Sequence, residues 1–133
     1  MRFFVHLSFN GTHYHGWQIQ KNAPGVQAFL EDALSRVLGE TVTVTGCGRT
    51  DTGVHAIDFW AHFNYSGIPL ECETITYKLN AILPHDICVH GIFQVSENLH
   101  ARYHAVSRTY RYYIRRNKEP FLEGVSAAPG TYA

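Results

Sequence analysis

The sequence predicts an α+β fold in which two helices cover one face of an antiparallel sheet. Three observations support this class. Apolar and polar residues alternate at the start of the chain, two later stretches repeat apolar residues at helical spacing, and further alternating runs separate and follow those helices. The resulting order, β-α-β-β-α-β with one extra strand, is that of a ferredoxin-like half. A chain of 133 residues is long enough to fold as one domain around its own core.

The first strand and the first helix have the clearest patterns. From Arg2 to Phe9 every second residue is apolar, which predicts a half-buried strand. Asn10 to Ala23 is polar and contains glycine, so this stretch is expected to be a long loop. Pro24 opens a helix, and Gly39 is a natural stop for it. The apolar stripe of this helix consists of Val26, Phe29, Leu30, Ala33, Leu34, Val37 and Leu38.

The elements that follow are shorter. The run from Thr41 to Thr45 predicts a brief strand, and a longer alternation from Ile57 to Tyr65 predicts another. A second helix is expected from about Thr74 to Leu83, because Pro84 cannot continue it. A fourth strand is marked by apolar residues on one face, and these are Ile87, Val89, Phe93 and Val95.

A fifth strand is predicted from Ser107 to Arg116, with Tyr110 and Tyr112 on one face. Since both helices lie on one side of the sheet, the opposite face, including Trp60 and His62, needs a cover. A second copy of the chain, an RNA or a further part of the protein would each provide one.

Charge and cysteine content restrict the class of protein. The 11 basic and 11 acidic residues cancel, so net charge alone indicates no nucleic-acid partner. The three cysteines, Cys47, Cys72 and Cys88, are widely spaced and predict reduced thiols in a cytoplasmic protein. No apolar run approaches the roughly 20 residues of a membrane helix, and no signal peptide opens the chain. The paired histidines, such as His13 with His15, lack a third ligand, so no metal is predicted.

Basic and aromatic residues are concentrated between Asn98 and Lys118, where no acidic residue occurs. Arginines that meet phosphates and rings that stack on bases are typical of RNA-binding surfaces. A solvated edge strand whose arginines prevent pairing with other chains has the same composition. Both interpretations stay open for this segment, whose basic and aromatic residues are Arg102, Tyr103, Arg108, Tyr110, Arg111, Tyr112, Tyr113, Arg115, Arg116 and Lys118.

The most informative stretch is Gly-Arg-Thr-Asp-Thr-Gly-Val-His-Ala at residues 48–56. It places one carboxylate, Asp51, between two glycines in a polar loop that joins two strands, with Arg49 two residues earlier. Such loops hold reactive side chains over clefts, and glycine allows the backbone to approach a ligand closely. The structural alternative is that Asp51 caps a turn and pairs with Arg49.

This loop closely resembles the catalytic loop of the TruA family of tRNA pseudouridine synthases. Four further segments resemble family motifs in the same order along the chain, and together the five motifs extend over residues 3–116. The four segments are Gly11–Gln20, which contains Gly-Trp-Gln-x-Gln, then Val26–Glu31, Asn80–Pro84 and Ala101–Tyr112.

The resemblance implies an isomerase that converts uridine to pseudouridine in the anticodon stem-loop of tRNA, without cofactor or metal, and that forms a homodimer. It assigns the catalytic carboxylate to Asp51, which is ionised at neutral pH and acts as nucleophile or base. It also implies that the uridine leaves its stack, that Arg49 assists and that Tyr110 stacks on the uracil. Thr52 and His55 match the same loop as substrate-binding residues. Arg102, Arg108 and Arg111 are candidates for contacts with the tRNA backbone or plain surface charges.

The chain departs from the family in two respects. Phe59 stands where the family usually has glutamine, which is expected to alter contacts around the loop and not the chemistry. Family members are also about twice as long, so residues 1–118 are interpreted as the N-terminal subdomain and residues 119–133 as a linker toward a missing C-terminal half. In the family that half supplies a basic residue facing the aspartate and an apolar residue beneath the uracil. The chain alone is therefore expected to be inactive or very slow.

Two other functions fit parts of the sequence. Asp51-Thr52-Gly53 is the triplet of aspartic proteases, but a neighbouring arginine hinders the shared proton that their paired carboxylates need. A non-catalytic RNA-binding module on a ferredoxin-like scaffold is the stronger alternative. The aromatic RNA-binding signature of that class is absent, yet a half cleft can bind RNA without turning it over.

Overall fold

A computed structural model describes residues 1–101 of the chain. Four strands form one sheet in the order β2-β3-β1-β4, and every neighbouring pair is antiparallel. This arrangement confirms the predicted α+β, ferredoxin-like class. The elements are β1 Arg2–Phe9, a 3-10 turn at Gly11–His13, α1 Val26–Leu38, β2 Val44–Gly46, β3 Ala56–Asn64, α2 Cys72–Ile82 and β4 Ile87–Val95. The predicted fifth strand, the domain boundary at residue 118 and the proposed linker lie outside the described residues.

Both helices pack on the same face of the sheet. The inward side chains of β1 alternate as predicted, and Phe3, Val5, Leu7 and Phe9 are each at most 4% exposed. They belong to one cluster with buried residues from both helices, namely Val26, Leu30, Ala33 and Leu34 of α1 and Ile75 and Leu79 of α2. Burying a leucine fully is worth about 1.5–3 kcal/mol, so this layer supplies most of the driving force for the fold.

Helix α1 begins and ends through backbone contacts. Its first free amides donate to loop carbonyls, Val26 N to Gly16 O at 3.2 Å and Gln27 N to Trp17 O at 2.8 Å. At the other end Gly39 has a φ of 73° and donates to Ser35 O, which confirms the predicted stop. The start of α1 is therefore tied to the long loop that precedes it.

Two predicted boundaries are wrong. Strand β2 covers Val44–Gly46 and not Thr41 to Thr45, because α1 side chains bind backbone amides at and before its first residue. Val42 N donates to Ser35 Oγ and Val44 N to Glu31 Oε2, so pairing with β3 begins only at Val44. Helix α2 begins at Cys72 and not at Thr74, since Ile75 N already donates to Glu71 O and closes a turn there.

The face prediction for β4 is wrong at Phe93, which is 50% exposed, while Ile92 is buried. Gly91 pairs with His6 and Val89 with Leu7, so His90 is an extra residue in the ladder. One inserted residue moves every following side chain to the opposite face. Alternation read from the sequence carries no sign of this bulge.

The sheet face opposite the helices carries a row of rings. The His6 ring lies 4.4 Å from Trp60 at an angle of 9° and 5.0 Å from His90, and Trp60 lies 6.0 Å from Phe93. Asp58 accepts a hydrogen bond from Trp60 Nε1, and its Oδ1 lies 2.6 Å from His6 Nε2.

His62, predicted to need a cover on this face, has one within the described chain. It is 5% exposed, and its Nδ1 accepts from Ala101 N at 3.1 Å. Burial, with the nearby Arg2 and His100, lowers the pKa of His62 to about 4. The end of the sheet face near His62 is therefore closed by residues 100–101.

Candidate active site

Asp51 lies on the loop between β2 and β3 and is exposed to solvent. Its carbonyl accepts from Val54 N at 3.2 Å, and Gly53 adopts a φ of 81° to complete the turn. Within residues 1–101 no hydrogen bond or ion pair occupies the Asp51 carboxylate, and no ion pair joins it to Arg49. The carboxylate is thus available to a ligand, and the structural alternative of an Arg49–Asp51 pair is not observed among these residues.

The loop that carries Asp51 is held by the segment Gly11–Gln20. Three hydrogen bonds join it to Thr50. Trp17 N donates to Thr50 Oγ1 at 2.8 Å, Gln18 Nε2 donates to Thr50 O at 3.0 Å, and Thr50 N donates to Gln18 Oε1 at 3.1 Å. Beyond Asp51, Gly53 N donates to Tyr14 O at 3.1 Å. The backbone is therefore fixed on both sides of the aspartate.

Two glycines allow this close contact. A Cβ atom on Gly11 would lie 1.8 Å from Val54 O, and one on Gly16, whose φ is 83°, would lie 2.2 Å from Thr50 O. Neither separation is possible for a real side chain, so both positions require glycine as long as the two segments touch. The Gly-Trp-Gln segment and the Asp51 loop form one structural unit.

Tyr14 fastens this unit to the far edge of the sheet. Its hydroxyl donates to Asp86 Oδ1 at 2.5 Å, and Asn10 N donates to Asp86 O at 2.9 Å. Burial and then the hydrogen bond to Asp86 raise the pKa of Tyr14, so the hydroxyl remains a donor at neutral pH. Asp86 directly precedes β4, which ties the Asp51 loop to the strand at the opposite side.

His55, predicted to bind substrate, is half-buried at the end of the loop. Its Nδ1 accepts a hydrogen bond from Gly11 N at 2.9 Å, and burial lowers the pKa of His55. The ring is therefore neutral at pH 7 and carries its proton on Nε2. One nitrogen braces the loop, and only the other is left to meet a ligand.

Arg49 is exposed and borders an open groove beside the loop, with a volume of about 190 Å³. The groove is lined by Trp17, Gln18, Gln27, Val44, Thr45, Gly46, Gly48 and Arg49. Thr52, next to Asp51, is exposed as well. Arg102, Arg108, Tyr110 and Arg111, the other predicted site residues, lie outside the described residues.

Phe59, which the resemblance predicts to be a departure from the family pattern, is buried and packs against Trp17, one of the residues that line the groove. Its ring lies 4.6 Å from Trp17 and 5.5 Å from Phe9. The Phe59 ring supports Trp17, the residue before Gln18, and is itself only 5% exposed. A different residue at position 59 is therefore expected to change the support of the loop.

Sequence reasoning overlooked four residues that shape this site. Tyr14, Gln18 and Thr50 lie in segments that the sequence singled out, but their partners are distant in the chain. Gln18 bonds to Thr50 across 32 positions, and Tyr14 bonds to Gly53 through its carbonyl and to Asp86 through its hydroxyl. Asp86 gave no signal at all, because nothing near it in the sequence marks it as the acceptor of Tyr14.

Two absences hold for the described part of the chain alone. No group of three or more His, Cys, Asp or Glu side chains there is placed to hold a metal ion. None of its helices has the length and apolar character needed to cross a membrane. The cysteines Cys47, Cys72 and Cys88 are thiols.

Comparison with known proteins identifies the family. A family model described as tRNA pseudouridine synthase matches residues 6–104. The chain is 47% identical to tRNA pseudouridine synthase A of Porphyromonas gingivalis, covering 93% of this chain and 50% of that protein. It is 48% identical to the protein of the same name from Bacteroides fragilis, covering 90% of the chain and 48% of that protein. The chain spans about half the length of the curated relatives it matches. With residues 6–104 matched, the chain belongs to the tRNA pseudouridine synthase family.

Proposed function

We propose that this chain carries the catalytic carboxylate of a tRNA pseudouridine synthase and that Asp51 is that carboxylate. The observation that carries the proposal is an exposed Asp51 without a partner in residues 1–101, on a loop whose backbone is fixed on both sides. An aspartate that served only to cap a turn would use its carboxylate on nearby amides. Here the turn is closed by the backbone alone.

The proposed reaction needs one such group. The bond between ribose C1′ and uracil N1 breaks, the base turns, and a bond forms between C1′ and C5. The C5 proton is lost to solvent and N1 regains a proton, so no redox change occurs. Asp51 acts as nucleophile at the sugar or as base toward a ribose proton.

The substrate contacts proposed for this chain follow the same loop. Arg49 is free to meet a phosphate or to occupy the space of an extruded base, and the groove beside it gives room for the RNA backbone. Thr52 and the Nε2 atom of His55 contact the target nucleotide. By resemblance, Tyr110 stacks on the uracil, and Arg102, Arg108 and Arg111 bind the tRNA backbone.

The proposed partner is the anticodon stem-loop of tRNA, in the cytoplasm, with the whole protein acting as a homodimer. Both relatives compared above are named tRNA pseudouridine synthase A, which supports tRNA as the substrate. The stem-loop, the dimer and the compartment rest on the family resemblance and on the thiol state of the three cysteines.

The chain on its own is proposed to bind tRNA with little or no turnover. It spans about half the length of its relatives, and the resemblance assigns a basic residue and an apolar residue of the site to the other half. If the chain binds tRNA without turning it over, it acts as an RNA-binding module without catalysis, which is the second candidate function.

The test is release of tritium from tRNA labelled at C5 of uridine. In the whole protein that contains these residues, Asp51→Asn is expected to lower the rate by about 10²–10⁴-fold or more. Asp32→Asn, an exposed aspartate of α1 that pairs with Arg36, is the matched control and leaves the rate unchanged. An Asp51→Asn protein as fast as its parent rejects the catalytic role. Tritium release by the 133-residue chain alone, abolished by Asp51→Asn, rejects the proposal that the chain needs its other half.

A further inference from the structure

We propose that Gln18 is a positioning residue that sets the place of the Asp51 carboxylate by holding the peptide groups on both sides of Thr50. The inference rests on the proposed function, since Asp51 is the group being positioned. Gln18 itself is not placed against the reacting atoms.

The side-chain amide of Gln18 pairs with both the backbone N–H and the backbone C=O of Thr50, as the backbone of a neighbouring strand would. Its Nε2 donates to Thr50 O at 3.0 Å, and its Oε1 accepts from Thr50 N at 3.1 Å. Thr50 N belongs to the peptide that precedes residue 50, and Thr50 O belongs to the peptide that joins it to Asp51. One side chain therefore fixes two successive peptide planes, and the second of them contains the amide of the aspartate.

The frame that holds Gln18 is itself rigid. Trp17 is 2% exposed and stacks near Phe59, and its backbone N donates to Thr50 Oγ1. Its carbonyl accepts from Gln27 N in the first turn of α1 at 2.8 Å. A Cβ atom on Gly25 would lie 2.4 Å from Gln18 O, so the Gln18 backbone is packed against the start of the same helix. The half-buried Gln18 amide therefore extends from backbone that directly follows the core residue Trp17.

The contacts on both sides of Asp51 restrict its backbone. With both planes at Thr50 held, and with Asp51 O accepting from Val54 N at 3.2 Å, the aspartate keeps little backbone freedom. Its carboxylate then varies mainly by side-chain rotation. Release of the Thr50 peptide would remove two of the bonds that fix the backbone before Asp51, and a misplacement of about 1 Å in a catalytic group can cost about 10²-fold in rate.

Gln20 provides a matched control. It has the same side chain and lies two residues further in the same segment, but its Nε2 donates to His15 O at 2.9 Å and makes no bond to the Asp51 loop. A general effect of loosening the segment would appear in both variants. A positioning effect would appear only at Gln18.

The experiment measures kcat, KM for tRNA and the thermal midpoint of the whole protein with Gln18→Ala, Gln18→Glu or Gln20→Ala. We expect Gln18→Ala to lower kcat by about 10–100-fold with KM within about twofold, while Gln20→Ala stays near the parent. Gln18→Ala should lose more thermal stability than Gln20→Ala, because it removes two hydrogen bonds and not one, so kcat is compared well below both thermal midpoints. A loss of kcat at Gln18 no larger than at Gln20, or an effect confined to KM, overturns the proposal.

Gln18→Glu adds a pH signature. The carboxylate keeps an acceptor for Thr50 N but has no donor for Thr50 O, so at pH 7 this variant should be at least as slow as Gln18→Ala. Protonation of the glutamate restores the donor, so its kcat relative to the parent at the same pH should rise between pH 7 and about 5. A ratio that does not change with pH argues against the role of that donor.

A measurement that needs no turnover separates this proposal from the proposed function. Hydrogen exchange at the Val54 amide, which reports order at Asp51 through its bond to Asp51 O, should quicken in Gln18→Ala and not in Gln20→Ala. Unchanged exchange in Gln18→Ala overturns the positioning role whether or not the parent shows activity. An active parent whose Asp51→Asn variant is equally active rejects the proposed function alone, since the exchange result stands independently.

Discussion

Replacement of Gly16 by alanine tests the contact between the Gly11–Gln20 segment and the Asp51 loop most directly. The added Cβ would lie 2.2 Å from Thr50 O, and the contact must open by about 1 Å before it becomes tolerable. The positive φ of 83° adds about 1–2 kcal/mol for any residue with a Cβ. A shift of that size also breaks the three hydrogen bonds that Thr50 makes with Trp17 and Gln18, each worth about 0.5–1.5 kcal/mol.

The expected loss in the free energy of unfolding is therefore about 3–5 kcal/mol, measured by urea unfolding of the chain. Gly39→Ala is the matched control, because Gly39 has a φ of 73° and nothing lies within 4 Å of its added Cβ. That variant should lose only the cost of the left-handed backbone, about 1–2 kcal/mol. Equal losses at Gly16 and Gly39 would show that the close approach to Thr50 carries no energy and would refute the reasoning.

Two further predictions concern the supports of the sheet. Burial lowers the pKa of His62 to about 4, below its value of 6.5 in the unfolded chain, so the unfolded chain binds the proton more strongly. The free energy of unfolding should therefore fall by up to about 3 kcal/mol as the pH drops from 6.5 toward 4. His62→Phe should remove that part of the pH dependence in urea unfolding at pH 7 and 4.5, and an unchanged slope would assign it to other groups. The Asn80 side chain donates to Val89 O and accepts from Val89 N, both at 2.8 Å, so Asn80→Ala should cost about 1–3 kcal/mol of stability and leave kcat of the whole protein unchanged. A variant as stable as its parent would contradict this.

The sequence predicted best those elements whose signal is local. The alternation of β1 and the glycine stop of α1 depend on neighbours in the chain, and both are confirmed. The predicted stripe of α1 is wrong at Phe29, which is 39% exposed, while Val26, Leu30, Ala33 and Leu34 are buried as predicted. The start of β2 and the face of Phe93 were wrong because they depend on groups outside each strand. Ser35 binds the Val42 amide before β2 and Glu31 binds the amide of its first residue, Val44, and the bulge at His90 arises only when β4 pairs with β1.

The candidate site likewise has one part that local sequence predicts and another that it does not. The Asp51 loop could be singled out because a carboxylate between two glycines is visible in consecutive residues. Its support could not, since Gln18 and Thr50 stand 32 positions apart and become partners only after the sheet has formed. The sequence also cannot say whether Gly16 serves a turn or a contact with another segment. The structure answers this, because a Cβ on Gly16 would lie 2.2 Å from Thr50 O.

The bond from Tyr14 to Asp86 spans 72 positions, and this has a consequence for the order of events during synthesis. A ribosome releases this chain from its amino end, so Asp51 emerges well before the residue that anchors Tyr14. Until Asp86 emerges, the hydroxyl of Tyr14 lacks its acceptor. Tyr14, whose carbonyl accepts from Gly53 N, then cannot fix the Asp51 loop to the sheet. The Asp51 loop of the nascent chain therefore gains its support from Tyr14 only after Asp86 has emerged.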